Sequence, residues 1–197
     1  MPRYYSQLGQ DKLIENFFGS HLPCHKVFVD VGAYDGLTFS NTRRLFHLGW
    51  TGLCIEPIPR NFAKLAALYD DDLLIVCLQV AILATEEKTV QMIEDKTASK
   101  IILPQEIRPE GKIEVSVPVM SLTEALDRYQ IPSDFDFLSV DTEGTNAEVL
   151  ESLDWGKYHP RLLVVEYNDQ ATRDQISKIV VPQKYQFLAD NQQDVFW

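Results

Sequence analysis

Apolar residues along this chain recur in two alternating rhythms. Short runs bounded by turn residues read as strands at 26–31, 52–55, 73–80, 135–140 and 161–167. Runs this continuous belong to a parallel sheet covered on both faces. Between them, spacings of three and four residues read as helices at 40–48, 59–69 and 148–153, with Phe62, Leu65 and Leu68 forming the apolar stripe of the second. Ser121 and Glu124 stand at capping-box spacing and open a helix that runs through Tyr129. A weaker helix is expected at 175–181. Two short late strands, 186–189 and 194–197, flank the turn-prone Asp190-Asn191-Gln192-Gln193 and are expected to form a closing antiparallel hairpin.

The middle of the chain breaks the rhythm. Residues 89–93 and 113–120 alternate apolar and polar, while 95–111 between them are polar and proline-bearing. That pattern predicts a hairpin with a long tip, not a crossover helix. The whole reads as an α/β chain: a doubly wound, Rossmann-like sheet of about seven strands ending in an antiparallel hairpin. It is expected to be one domain over 1–197, with the hairpin inserted at 86–118 and facing the substrate.

Composition narrows the partners. Hydrophobic residues at 45% and charged residues at 24% suit a soluble globular domain. No run approaches the roughly 18 apolar residues of a membrane span, and the polar N-terminus lacks a secretory apolar core. No membrane partner and a cytoplasmic location are therefore expected. With 18 basic against 29 acidic residues the net charge is −11. Nucleic-acid affinity rests on cations that neutralise phosphates, so a nucleic-acid partner is disfavoured and a neutral substrate is favoured. Arg43-Arg44, the only adjacent basic pair, is expected on a solvated helix face. The three cysteines show no metal-ligand spacing and are expected to be buried, reduced thiols. The terminal Trp197 is expected to complete an edge strand, which leaves room for a longer protein around this domain. Nothing in the sequence speaks to oligomeric state.

In an open α/β sheet, ligands bind at the carboxyl ends of the strands, near the switch in strand order. Four strands end in acids: Asp30 with Asp35, Glu56, Asp141 with Glu143, and Glu166. Carboxylates gathered at one sheet edge repel each other, and they persist when a ligand or cation supplies partners. The first turn, Asp30-x-Gly32-x-x-Asp35-Gly36, lacks the third glycine of a dinucleotide site and puts an acid where a pyrophosphate would lie. A ligand with a cationic or neutral end fits better, such as the amino-acid portion of S-adenosylmethionine. Glu56 can accept from both hydroxyls of an unphosphorylated ribose. It does not separate NAD from S-adenosylmethionine; the first turn does. Val80 and Ala81 offer amide and apolar contacts suited to adenine.

An ordered set of motifs now becomes specific. It comprises Tyr5-Ser6-Gln7-x-Gly9-Gln10-Asp11, Phe28-Val29-Asp30-Val31-Gly32-Ala33-x-Asp35-Gly36, Ser40-Asn41-Thr42 and Gly49-Trp50-x-Gly52-x-Cys54-Ile55-Glu56-Pro57. Val117-Pro118-x-x-Ser121-Leu122, Asp136-Phe137-Leu138-Ser139-Val140-Asp141-Thr142-Glu143-Gly144 and Leu163-Val164-Val165-Glu166 complete it. Over essentially its whole length the chain resembles the FkbM family of methyltransferases. The resemblance implies a class I methyltransferase fold and S-adenosylmethionine-dependent methyl transfer to oxygen, typically a hydroxyl of a sugar or natural product. It places the cofactor on Asp30, Gly32, Ala33, Asp35, Gly36, Glu56 and Pro57. Gln7 and Gln10 are added from an N-terminal helical cover over 1–25, and Ser40, Asn41 and Asp141 complete the expected set. One position departs from the family pattern: two residues after Gly144, where a second Glu is usual, stands Asn146.

Methyl transfer from a sulfonium to a hydroxyl is an in-line displacement that needs positioning and a base for the departing proton. Asp141 and Glu143 are the catalytic candidates; together with Glu166 they are also candidates to hold a divalent Mg or Mn ion. Two rivals are a binding or scaffold domain without turnover, and an NAD-dependent oxidoreductase, which the missing third glycine disfavours.

Overall fold

A computed structural model of the chain describes residues 2–94, 99–101 and 113–197. In chain order its elements are α1 (Gln10–Ser20), β1 (Val27–Val31), α2 (Arg43–His47), β2 (Thr51–Ile55), α3 (Pro59–Leu68), β3 (Ile75–Leu78), β4 (Ala81–Ile82), β5 (Thr89–Glu94) and β6 (Lys100–Ile101). They continue with β7 (Ile113–Met120), α4 (Leu122–Arg128), β8 (Phe137–Val140), α5 (Asn146–Glu151), β9 (Leu162–Glu166), α6 (Gln170–Val180), β10 (Ala189–Asp190) and β11 (Asp194–Phe196).

The main sheet has seven strands in the order β3-β2-β1-β8-β9-β11-β10. β3, β2, β1, β8 and β9 are parallel, and β11 pairs antiparallel with both β9 and β10. Alternation along β1 explains the two layers. Phe28 enters one core with Ile14 of α1, Leu45 of α2 and Leu65 of α3. Val29 and Val31 enter the other, with Leu126 of α4, Val149 of α5 and Ile176 of α6. Each face of the sheet thus buries one apolar set of side chains against three helices. The Ser121–Glu124 capping box forms as its spacing predicts, satisfying two end groups of α4 at once.

Several boundaries differ from the sequence reading. The run 73–80 is not one strand: β3 stops at Leu78, and β4 leaves the sheet to pair in parallel with β7. With the antiparallel β5 and β6 this makes a second sheet, β4-β7-β5-β6. An apolar run records burial, not the identity of its partner, so the break at 79–80 leaves no hydropathy signal. α2 begins only at Arg43, because the Ser40 hydroxyl accepts from the Thr42 and Arg43 amides and holds 40–42 as a turn. α6 starts five residues before the expected 175, capped by the Asp169 carboxylate on the Thr172 amide. Most of the tip at 95–111 lies outside the described residues.

Arg43 and Arg44 do not form a solvated face. Arg44 makes a two-pronged ion pair with Glu15 of α1 at 2.9 and 2.7 Å, and Arg43 lies over the rings of Phe46 and Tyr69 at 4.7 and 5.1 Å. Both arginines serve to fasten helices. All three cysteines are free thiols, but only Cys54 is fully buried; Cys24 is exposed. Among the described residues, no helix is long and apolar enough to cross a membrane.

Candidate active site

Strand order reverses between β1, which leads outward to β2 and β3, and β8, which leads to β9. A cleft of about 420 Å³ opens there at the carboxyl ends. Its floor is made by Asp30 of β1, Gly32 and Ala33 in the turn after it, Glu56 and Pro57 after β2, and Asp141 and Glu143 after β8. Val80 and Ala81 line one side, Ser40 and Asn41 another, and Glu166 of β9 and Gln7 of the N-terminal segment also reach it. Gln10, Asp35 and Gly36 are not among the lining residues.

Gly32 shows why the floor needs a glycine. Its φ is +90°, and a Cβ there would lie 1.7 Å from the Asp141 carbonyl oxygen. The close approach is thus by the chain's own backbone, where β1 and β8 meet. Gly36 serves packing, since a Cβ would press on Leu65, Leu68 and Tyr69 beneath α3. Asp35 is turned into its own loop: one oxygen accepts from the Leu37 and Thr38 amides at 3.0 and 2.7 Å, the other from the Thr38 hydroxyl. Its carboxylate therefore does not present the charge toward a ligand that the motif suggested. Gln10 is buried on Asp194, its Nε2 donating at 2.7 Å.

Asp30 is buried, and desolvation pushes its carboxyl up to about 6 against hydrogen bonds from Thr42 and Ser139. Asn41 donates Nδ2 to the Ser139 hydroxyl at 3.1 Å, while its buried Oδ1 has no partner among the described residues. Glu56 accepts from the Tyr34 amide at 3.0 Å and the Ile58 amide at 2.9 Å. Burial still raises it to about 7. A carboxylate in this position becomes fully charged and settled once a ligand adds hydrogen-bond donors.

At the other end, Asp141, Glu143 and Glu166 each place an oxygen within 4.8 Å of the others'. Asp141 and Glu166 are hydrogen-bonded to each other. Burial, then the charge of Glu166, drives Asp141 well above the carboxylate range, and burial raises Glu166 as well, so the pair shares a proton. Glu143 is different. Its backbone is left-handed at φ 55°, followed by Gly144 at 115°, and burial with the Glu166 charge raises it to about 7.

Sequence reasoning passed over several lining residues. Ser139 was readable in principle, as a polar residue inside an otherwise apolar buried strand. Tyr34 and Phe39 line the cleft with φ of 52° and 57°, a strain that no residue type announces. Gln193 enters from the hairpin turn before β11 and carried no signal.

Comparison with known proteins bears on this cleft. The sequence profile described as the methyltransferase FkbM domain matches residues 30–193. No curated protein matches the sequence. Among solved structures, a precorrin-6y C5,15-methyltransferase from Geobacter metallireducens is similar with a TM-score of 0.52 and 12% identity, covering 94% of this chain and 84% of that one. A ribosomal protein L11 methylase from Lactobacillus delbrueckii subsp. bulgaricus has a TM-score of 0.51 and 10% identity, covering 95% and 76%. A human methyltransferase 10 domain containing protein has a TM-score of 0.53 and 13% identity, covering 96% and 78%. At these identities the likeness is one of fold.

Proposed function

The chain belongs to the methyltransferase FkbM domain family, and from that membership together with its cleft we propose that it moves the methyl group of S-adenosylmethionine to a hydroxyl oxygen. The acceptor in this reading is a neutral sugar, glycan or other small hydroxylated molecule, and the protein works in the cytoplasm. The family and the fold support a methyltransferase dependent on S-adenosylmethionine. The finer reading rests on the carboxylate arrangement after β8, above all on Glu143.

Cofactor binding follows the strand ends. Glu56 accepts from the ribose hydroxyls, Val80 and Ala81 flank the adenine, and Asn41 offers its unpartnered Oδ1 to the methionyl ammonium. S-adenosylmethionine supplies an electrophilic methyl on a sulfonium; everything else falls to the side chains. An alcohol attacks only as its proton leaves, and a base titrating near neutrality serves best. Glu143 meets that need: it lines the cleft, and its carboxyl is raised to about 7. Asp141 shares a proton with Glu166 across their hydrogen bond, so it orients rather than accepts. The absence of a charged leaving phosphate in this chemistry fits a cleft whose described lining holds five carboxylates, Asp30, Glu56, Asp141, Glu143 and Glu166.

The three oxygens of Asp141, Glu143 and Glu166 are hard donors of the kind Mg²⁺ or Mn²⁺ takes. Those residues would hold such an ion, which would lower the pKa of a bound hydroxyl. The Asp141–Glu166 hydrogen bond satisfies two of the three without it, and we assign the proton to Glu143 directly. Release of S-adenosylhomocysteine, assayed over methyl glycosides, cyclitols and other hydroxylated metabolites with and without a chelator, tests the reading. Turnover on a hydroxyl that survives chelation supports it; methylation confined to amines or carbon acids would overturn it.

A further inference from the structure

Asn146, the position where the sequence departs from its family's pattern, is fully buried at the start of α5. Its side chain is completely used. Oδ1 accepts from both the amide and the hydroxyl of Thr142, each at 2.7 Å. Nδ2 donates to the Glu166 carbonyl at 2.9 Å and reaches the Glu166 carboxylate at 3.4 Å. Two donors face the oxygen and two acceptors face the nitrogen, so only one orientation of the amide satisfies all four.

The location gives these bonds their meaning. β8 and β9 pair in parallel up to Val140 opposite Val165, and there the backbone ladder ends. The next residues on each strand are Asp141 and Glu166. The Asn146 amide bridges the strands one step beyond the last rung, joining Thr142 on one side to Glu166 on the other. Thr142 stands between the two cleft carboxylates Asp141 and Glu143. It also directly precedes the left-handed pair Glu143 and Gly144, which needs an anchor to keep its course.

We propose that Asn146 is a positioning residue for methyl transfer, fixing the Asp141-Thr142-Glu143 segment against Glu166 so that Glu143 meets the acceptor hydroxyl. The proposal rests on the reading of Glu143 as the base. Asn146 is not among the residues that line the cleft, so it acts through Thr142 and Glu166 and not on the substrate. The chemistry of the position is strict. An aspartate keeps the shape and the two Thr142 bonds, but turns an acceptor toward the Glu166 carbonyl and carboxylate, where a donor is required. An alanine removes both halves of the bridge.

The test compares wild type, Asn146→Asp and Asn146→Ala. S-adenosylhomocysteine titration counts intact cofactor sites, and turnover is measured with methyl-labelled S-adenosylmethionine on the hydroxylated acceptor that wild type uses best. Expected is a fall in kcat per cofactor site of about tenfold or more in both variants, with KM for S-adenosylmethionine and Kd for S-adenosylhomocysteine within about threefold of wild type. The cofactor contacts at Glu56, Val80 and Asn41 lie outside the bridge, which is why kcat and cofactor binding separate. If the alanine variant does not fold, the isosteric aspartate variant carries the test. Unchanged kcat per cofactor site in the aspartate variant would overturn the proposal, as would losses of turnover and cofactor binding in equal measure. Failure of the wild type to methylate any hydroxyl would count against the functional reading instead.

Discussion

Glu143 sits where backbone strain and charge repulsion meet. A left-handed glutamate costs of order 1–3 kcal/mol and persists only where its surroundings enforce it. Here Thr142 anchors the segment and Glu166 supplies the repelling charge. Glu143→Gln keeps the shape and removes the proposed base. Its kcat should fall about a hundredfold or more, with S-adenosylhomocysteine affinity unchanged. Asp141→Asn should cost less, because the new amide can still donate to Glu166 and keep the pair's hydrogen bond. With S-adenosylmethionine saturating, so that Glu56 is already charged against the ligand, kcat/KM for the acceptor should rise with pH and level off above about 7 as Glu143 loses its proton; parallel pH–rate profiles of wild type and Glu143→Gln check this, and the variant's should be flat through that range. Stability carries the opposite sign. A carboxyl raised in the fold binds its proton more tightly there than in the unfolded chain, so its contribution is present at low pH and is lost as pH rises toward its folded pKa. Glu143→Gln should therefore melt higher than wild type at about pH 8 and alike at about pH 4.

At the scale of elements, the junction of β1 with β8 is the least tolerant part of the fold. Gly32→Ala must either open that junction or displace the Asp141 carbonyl. It should abolish S-adenosylhomocysteine binding and lower the melting temperature sharply, or prevent folding. Ser121→Ala is the contrasting case. It removes a cap at a residue outside the cleft lining, costs about 1 kcal/mol, and should leave cofactor affinity intact; thermal melts paired with calorimetry distinguish the two. The same contrast shows what the sequence could convey. Cap, strand runs and the closing hairpin were legible because each is a local pattern of residue types. The acids at the strand ends were legible because parallel strands deliver their carboxyl ends to one edge. Asp35 misled, since a short acid beside a glycine turn is as able to bond its own loop as a ligand. The departure of β4 from the sheet, the strained Tyr34 and Phe39, and the placing of Gln193 depend on partners distant in sequence, and no local pattern encodes a partner.

For the whole molecule, net charge −11 and a cleft holding five carboxylates point the same way. Asp30, Glu56 and Glu143 are all raised, to about 6, 7 and 7. Folding therefore takes up protons between the ordinary carboxylate range and neutrality, and the ligand-free protein should lose stability as pH rises from about 5 to about 8. In the proposed reading, bound cofactor brings hydrogen-bond donors and a sulfonium cation to that edge. The increase in melting temperature on adding S-adenosylhomocysteine, which lacks the cation, should accordingly be smaller than that with S-adenosylmethionine at equal concentration. The central claim is that the cleft between β1, β2 and β8 is the cofactor site. Calorimetric titration with S-adenosylhomocysteine tests it most directly. The expected result is saturable one-to-one binding to the wild type, weakened about tenfold or more in a folded Glu56→Gln variant; no binding to the folded wild type, or equal binding to the variant, would contradict it.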